Sequence, residues 1–292
     1  MTVTSTETET ATETETETAT ATKRSPLRTG AAIPRLLYIP AVVGLALLIL
    51  PIVGLFLRAD WPRVPAAIMS VEAQSALGLS LQTALSSTVL CIIVGVPLAL
   101  LIARSGSPVA GLLRALTTLP LVMPPLVGGI ALLYLLGRNG LVGSGLELAF
   151  GIRIPFTTAA VVIAQSFVAL PFLVISVEGA LRTAGTRFET VAATLGAGRW
   201  MVFRRVTLPL IMPGLLAGTV LCFARALGEF GATALFAGNA AGITRTMPLA
   251  IYTAFNGAGV SQDSAIALSL LLIVVSIVIL FLLRSWRTTP EL

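Results

Sequence analysis

Arg225 and Glu229 stand four residues apart inside one apolar run, in a 292-residue chain of which only 11% is charged. At that spacing they share a helix face. A lone charge at bilayer depth costs about 2.5 to 3.5 kcal/mol on insertion scales, so the two should pair, face an interior, or both. One reading makes them an ion pair that fixes helix packing. The other puts Arg225 beside the path of an anion, with Glu229 holding its side chain until a gate opens. Other chemistry is scarce. There is no histidine, and the two cysteines, Cys91 and Cys222, lie within apolar runs, so zinc, haem and disulfide frameworks lack their usual ligands. Both cysteines read as packing residues. An intramembrane hydrolase would need a nucleophile and a base, and without histidine no Ser-His partnership exists. The only lysine, Lys23, is followed by arginine in a polar tail, which excludes a G-x-x-x-x-G-K-[ST] phosphate loop. The chain is expected to bind no metal and no cofactor, and any ATP chemistry must come from another polypeptide.

The elements that position these residues follow from composition. A chain that is 56% hydrophobic is solvated by lipid. Apolar runs at 34–57, 77–103, 109–136, 155–181, 207–237 and 265–283 predict six transmembrane helices in an all-α integral membrane protein. Residues 1–33 read as a disordered Thr/Glu-rich tail, 34–285 as the membrane domain and 286–292 as a second short tail. The first apolar run is too long for the core of a signal peptide and is expected to remain as a span. Lys23, Arg24 and Arg28 precede the first span and Arg35 lies at its start, and Arg104, Arg114, the arginines of the 182–206 loop, Arg284 and Arg287 fall on the same side. The other side receives Arg58, Arg63, Arg138, Arg153 and Arg245. This bias predicts that both termini are cytoplasmic. The arginines are spread between spans rather than gathered on a basic face, so the net charge of +6 does not point to nucleic acid.

Several spans carry proline and glycine: Pro97, then Pro120, Pro124, Pro125, Gly128 and Gly129, then Pro171, Pro209 and Pro213. The backbone groups they free are tolerated at membrane depth only where protein or a water-lined cavity satisfies them. Either the breaks line a pathway or they only shape the bundle. Candidate pathway or gate residues are Pro124, Pro125, Gly128, Arg225, Glu229 and Thr233. Gly228 and Gly231 flank Glu229 and permit a local break or a close helix approach, the plainer choice being a two-fold axis. At the outer face, Asn239 and Arg245 lie in an irregular segment, and 137–145 is a turn-rich loop. Glu178 and Arg182, acid before base by four, read as a structural pair.

The loop 182–206 is out of character with its surroundings. Thr186 and Glu189 fit a capping box, and Gly196 and Gly198 end the run of helix formers that follows, which predicts a helix over 187–195. Its Val191, Ala192 and Leu195 share an apolar face outside the bilayer. Trp200, Phe203, Arg204 and Arg205 suit a chain returning to the interface. On these residues alone, a helix lying on lipid headgroups is an equal reading.

The spacing from Gly196 to Pro209, with Val206 and Leu208 before the proline, resembles the cytoplasmic loop of ABC-importer permeases. That resemblance implies a coupling helix that docks on a separate ATPase subunit. The family pattern is Glu-Ala-Ala before the glycine; here Thr190, Val191 and Ala192 hold that register, and Glu189 sits one position earlier. The coupling set it implies is Glu189, Thr190, Val191, Ala192, Ala193, Leu195, Gly196, Val206, Leu208 and Pro209. "LPLVMPPLVGGIALLYLLGRNGLVGSGL" (119–146) resembles the oxyanion-importer permeases, and "FARALGEFGATALFAGNAAGITRTMPLAIYTAF" (223–255) is similar to the molybdate branch of that family. The resemblance implies a type I importer fold, a homodimer, an ATPase dimer carrying ATP-Mg, an extracytoplasmic molybdate-binding protein, and import of molybdate or tungstate across the cytoplasmic membrane. The alternatives are a sulfate or thiosulfate permease of the same class and an ion-coupled secondary transporter, which would require internal repeats and no ATP.

Overall fold

The computed structural model describes residues 35–257 and 262–284. The tails expected at 1–33 and 286–292 lie outside the described residues. Every regular element among the described residues is helical. In chain order these are α1 (Tyr38–Arg58), α2 (Val64–Ile68), α3 (Val71–Arg104), α4 (Ser107–Val122), α5 (Pro125–Leu136), α6 (Gly143–Phe150) and α7 (Thr158–Ala184). There follow α8 (Arg187–Thr194), α9 (Arg199–Val202), a π-turn (Phe203–Thr207), α10 (Leu208–Leu227), α11 (Gly231–Phe236), α12 (Met247–Asn256) and α13 (Gln262–Arg284). The chain divides into two compact units at Leu50 and Pro51. Of the first unit, the described part is a 3-10 turn and the start of α1, a helix with no buried residue. All else belongs to the second.

Five helices are long and apolar enough to cross a membrane, and a sixth span exists if α4 and α5 count as one broken crossing. The six-span expectation holds on that condition, with two corrections. The run 109–136 is not one helix: α4 and α5 are bent by 114°. Met123 and Pro124 each precede a proline, whose ring drives its predecessor out of the helical region, and both are extended with ψ of 135° and 133°. Two consecutive extended residues turn the chain where a lone proline does not, since α3 runs through Pro97 and α7 through Pro171. The run 207–237 is likewise interrupted, at Gly228 to Phe230, between α10 and α11.

Side-chain caps mark the starts of α3 and α7. The hydroxyls of Ser70 and Thr157 accept from the N–H of Ala73 and Ala160 at 3.2 Å, satisfying donors that the first turns of α3 and α7 leave free. The core lies between α3, α7 and α10 and is built largely of small residues, among them Ala84, Cys91, Ala99, Val177 and Cys222. Small side chains let helices approach when lipid offers no hydrophobic drive between them. Gly218 of α10 meets Ser176 of α7, and the Ser176 hydroxyl donates to the Gly214 carbonyl at 2.8 Å. A second cluster joins α5, α7 and α11 through Leu132, Val161, Val168, Ala232 and Phe236. Large apolar side chains such as Leu85, Ile93 and Val94 of α3 point outward, as a lipid-solvated surface requires.

Candidate functional site

The residues singled out in the sequence gather into two groups, one before each end of α10. The first is built on α8. This helix covers Arg187–Thr194, one residue short of the expected end, and closes in a Schellman motif. The Gly196 N–H donates to Ala193 at 3.0 Å and the Ala197 N–H to Ala192 at 3.1 Å. Gly196 has φ +85°, a left-handed conformation that costs any L side chain about 1 to 2 kcal/mol, and a Cβ placed there would meet nothing within 4 Å. The glycine is required by its backbone, not by crowding. Val191 and Leu195 are exposed, Leu195 to 82%, while Ala192 is half-buried. Thr190 returns its hydroxyl to the Thr186 carbonyl, and Ala193 is exposed.

The capping box is not formed. Thr186 lies in the helical region and its side chain caps nothing. Glu189 instead places both carboxylate oxygens 2.6 Å from one guanidinium nitrogen of Arg104, the last residue of α3. Its Oε1 also accepts from the Thr207 hydroxyl at 2.7 Å. A partner with full charge outcompetes a local backbone donor for the same carboxylate. Thr207 closes the π-turn, in which the Leu208 N–H reaches back five residues to Phe203. Pro209 has no N–H for the Arg205 carbonyl, which is why the helix widens here. Val206 and Leu208 are half-buried around the turn and Pro209 is exposed. Arg104 and Thr207 escaped the sequence reading because Arg104 is 85 residues from its partner and no spacing rule spans that distance.

The second group sits where the two helix breaks meet. A Cβ at Gly231 would lie 2.7 Å from the Cβ of Pro125, and one at Gly129 would lie 2.9 Å from the Ala232 carbonyl oxygen, so α5 and α11 touch backbone to backbone. The close approach at Gly231 is to Pro125 of the same chain. Gly128 faces the Phe167 ring, and Pro124 caps α5. Arg225 and Glu229 pair at 2.7 Å, with Glu229 only 1% exposed. The other Glu229 oxygen accepts from the Ala232 N–H at 2.8 Å, so the carboxylate also caps α11. Thr233, one residue on, is buried with an unpartnered hydroxyl, as are Thr246 and both amide atoms of Gln165. Gln165 was not singled out, although it is a polar residue in the apolar run 155–181.

Other pairs are settled more simply. Glu178 bonds Arg182 at 2.9 Å as expected and also Arg114 of α4 at 2.6 Å, which ties α4 to α7. Arg245 and Asn239 bond each other at 2.9 Å and so brace the segment before α12. Cys91 and Cys222 are buried, free and part of one core. Among the described residues no cluster of three metal-ligating side chains occurs.

Residues 95–288 match the family described as "Binding-protein-dependent transport system inner membrane component". The chain is 56% identical over 244 residues to the molybdenum transport system permease protein ModB of Mycobacterium tuberculosis, covering 84% of this chain and 91% of that protein. It is 42% identical over 212 residues to ModB of Haemophilus influenzae, covering 73% and 92%. In fold it is similar to a chain of the bacterial alginate ABC transporter solved with an alginate-bound periplasmic protein, at 20% identity and TM-score 0.67, over 87% of this chain and 94% of that one. The helix breaks, the exposed α8 and these relatives agree: the chain belongs to the permease subunits of binding-protein-dependent ABC importers, in their molybdenum-transport branch.

Proposed function

We propose that this chain is the membrane-spanning subunit of an ATP-driven importer of molybdate and the like-sized tungstate, with α8 as the element on which an ATPase subunit acts. The observation that carries the coupling role is α8 itself. It is a short helix, capped at a glycine it cannot exchange, with Val191 and Leu195 exposed and its carboxylate fastened to the bundle. The relatives' shared substrate supports molybdate.

In this reading two copies form the pathway, both termini are cytoplasmic, and a molybdate-binding protein delivers the dianion at the opposite face. ATP-Mg is bound by the ATPase and not by this chain, which has no phosphate loop. ATP drives transport because it binds one conformation of the assembly better than the other. Movement entering at α8 passes through the π-turn into α10, whose far end carries Arg225. There Arg225 and Glu229, with Thr233 and the Pro124, Pro125 and Gly128 break, form the gate. The guanidinium attracts a dianion, and Glu229 holds it in place when no dianion is present.

The test is cellular molybdenum content, measured by mass spectrometry in cells lacking this gene and in complemented cells, at trace molybdate with sulfate in excess. Molybdenum is expected to fall on deletion and return on complementation. No change in a strain without a second molybdate importer would move the substrate to sulfate or another oxyanion.

A further inference from the structure

Of the side chains on α8, Glu189 is the one whose bonds lead elsewhere. Thr190 and Thr194 return their hydroxyls to the local carbonyls of Thr186, just before α8, and Val191, and Phe188, Val191 and Leu195 are exposed. Glu189 joins three segments: α8, the end of α3 through Arg104, 85 residues away, and the π-turn that leads into α10 through Thr207, 18 residues on. We propose that Glu189, Arg104 and Thr207 form the joint that carries movement of α8 into α3 and α10. Glu189 is then a positioning residue inside the permease and not a contact to the ATPase. The inference rests on the reading of the chain as an ATP-driven permease and adds the route by which the drive enters the bundle.

Three features suit this triad to a moving joint rather than a fixed brace. The pair is partly exposed, with Arg104 34% and Glu189 22% exposed, so it can lengthen or re-form without stranding a fully buried charge. The Glu178 carboxylate is more enclosed, at 7%, although its partners Arg114 and Arg182 are open, and two charges hold it at once. Second, Arg104 ends α3 and Glu189 lies in the first turn of α8, so each charge favours the dipole of its own helix and stays in place while the helices shift. Third, Thr207 belongs to a π-turn, which holds one residue more than an α-turn. Tightening it would rotate the preceding residues by roughly 100° about the helix axis, the angle of one residue. The hydroxyl that Glu189 grips is thus at the one place where the start of α10 has slack.

The experiment uses the complete complex of this chain, its ATPase and its binding protein in proteoliposomes, and reads molybdate taken up per ATP hydrolysed. R104E should lower that ratio roughly tenfold, in the range of ordinary coupling energies. The exchanged pair R104E/E189R should restore most of it, and R104K should stay near native. Should R104E fail to assemble, T207V and E189Q decide: each removes one bond of the triad and should lower uptake per ATP while hydrolysis persists. Native ratios in both variants overturn the proposal. So does an R104E variant that transports normally while E189R does not, since Glu189 would then act on a partner. A native complex that shows no ATP-dependent uptake would instead count against the importer reading.

Discussion

Glu189 and Glu229 each hold an arginine and one further donor, and they stand at opposite ends of α10, a helix of 20 residues and about 30 Å. They are otherwise unlike. Glu229 is sealed at 1% exposure and its partners, Arg225 and Ala232, are four residues before it and three after. Glu189 is partly open, and its partners come from two other elements, the end of α3 and the π-turn before α10. The Glu229 carboxylate is enclosed although Arg225 is 26% exposed, and leaving either charge unpartnered there is costly, so this local pair favours one geometry. A pair exposed on both sides and shared between separate elements tolerates rearrangement better. The contrast assigns rigidity to the Glu229 end of α10 and mobility to the Glu189 end, where the joint is proposed.

Glu229→Ala tests the rigid end most severely. It strands Arg225 and uncaps α11, and it should destabilise the protein by about 3 to 5 kcal/mol. The double variant Arg225→Ala/Glu229→Ala should melt higher than Glu229→Ala alone, which thermal unfolding in detergent will show; equal or lower stability of the double would mean separate roles. Gly231→Ala pushes a methyl into Pro125, and overpacking of this kind costs about 1 to 3 kcal/mol. Its melting point should drop along with transport. At the mobile end, Gly196→Leu strains one backbone position by about 1 to 2 kcal/mol and meets open space. The complex should insert and hydrolyse ATP but lose uptake, and unchanged uptake would remove the coupling role of α8. Leu195→Ser is the mildest. An exposed change of this kind shifts stability by less than about 0.5 kcal/mol, so any loss should appear only as weaker co-purification of the ATPase.

The same two carboxylates show how far the sequence carries. Arg225 and Glu229 were legible because helical spacing alone makes them neighbours. Glu189 was assigned to a capping box because Thr186 stood at the right offset, and only the fold brought Arg104 within reach. Spans were legible from the lengths of apolar runs, but hydropathy is blind to a turn within such a run. Pro124 and Pro125 announce one, whereas Gly228 and Gly231 only permit one. The end of α8 was read nearly to the residue, since a left-handed glycine is a local matter.

The most direct measurement of the central claim is molybdate uptake into proteoliposomes that contain this chain, its ATPase and its binding protein, with Mg-ATP supplied on the ATPase side. Accumulation is expected with ATP, and none with a non-hydrolysable analogue or with the Gly196→Leu chain under ATP hydrolysis. Accumulation without hydrolysis, or at the native rate in Gly196→Leu, would contradict the account.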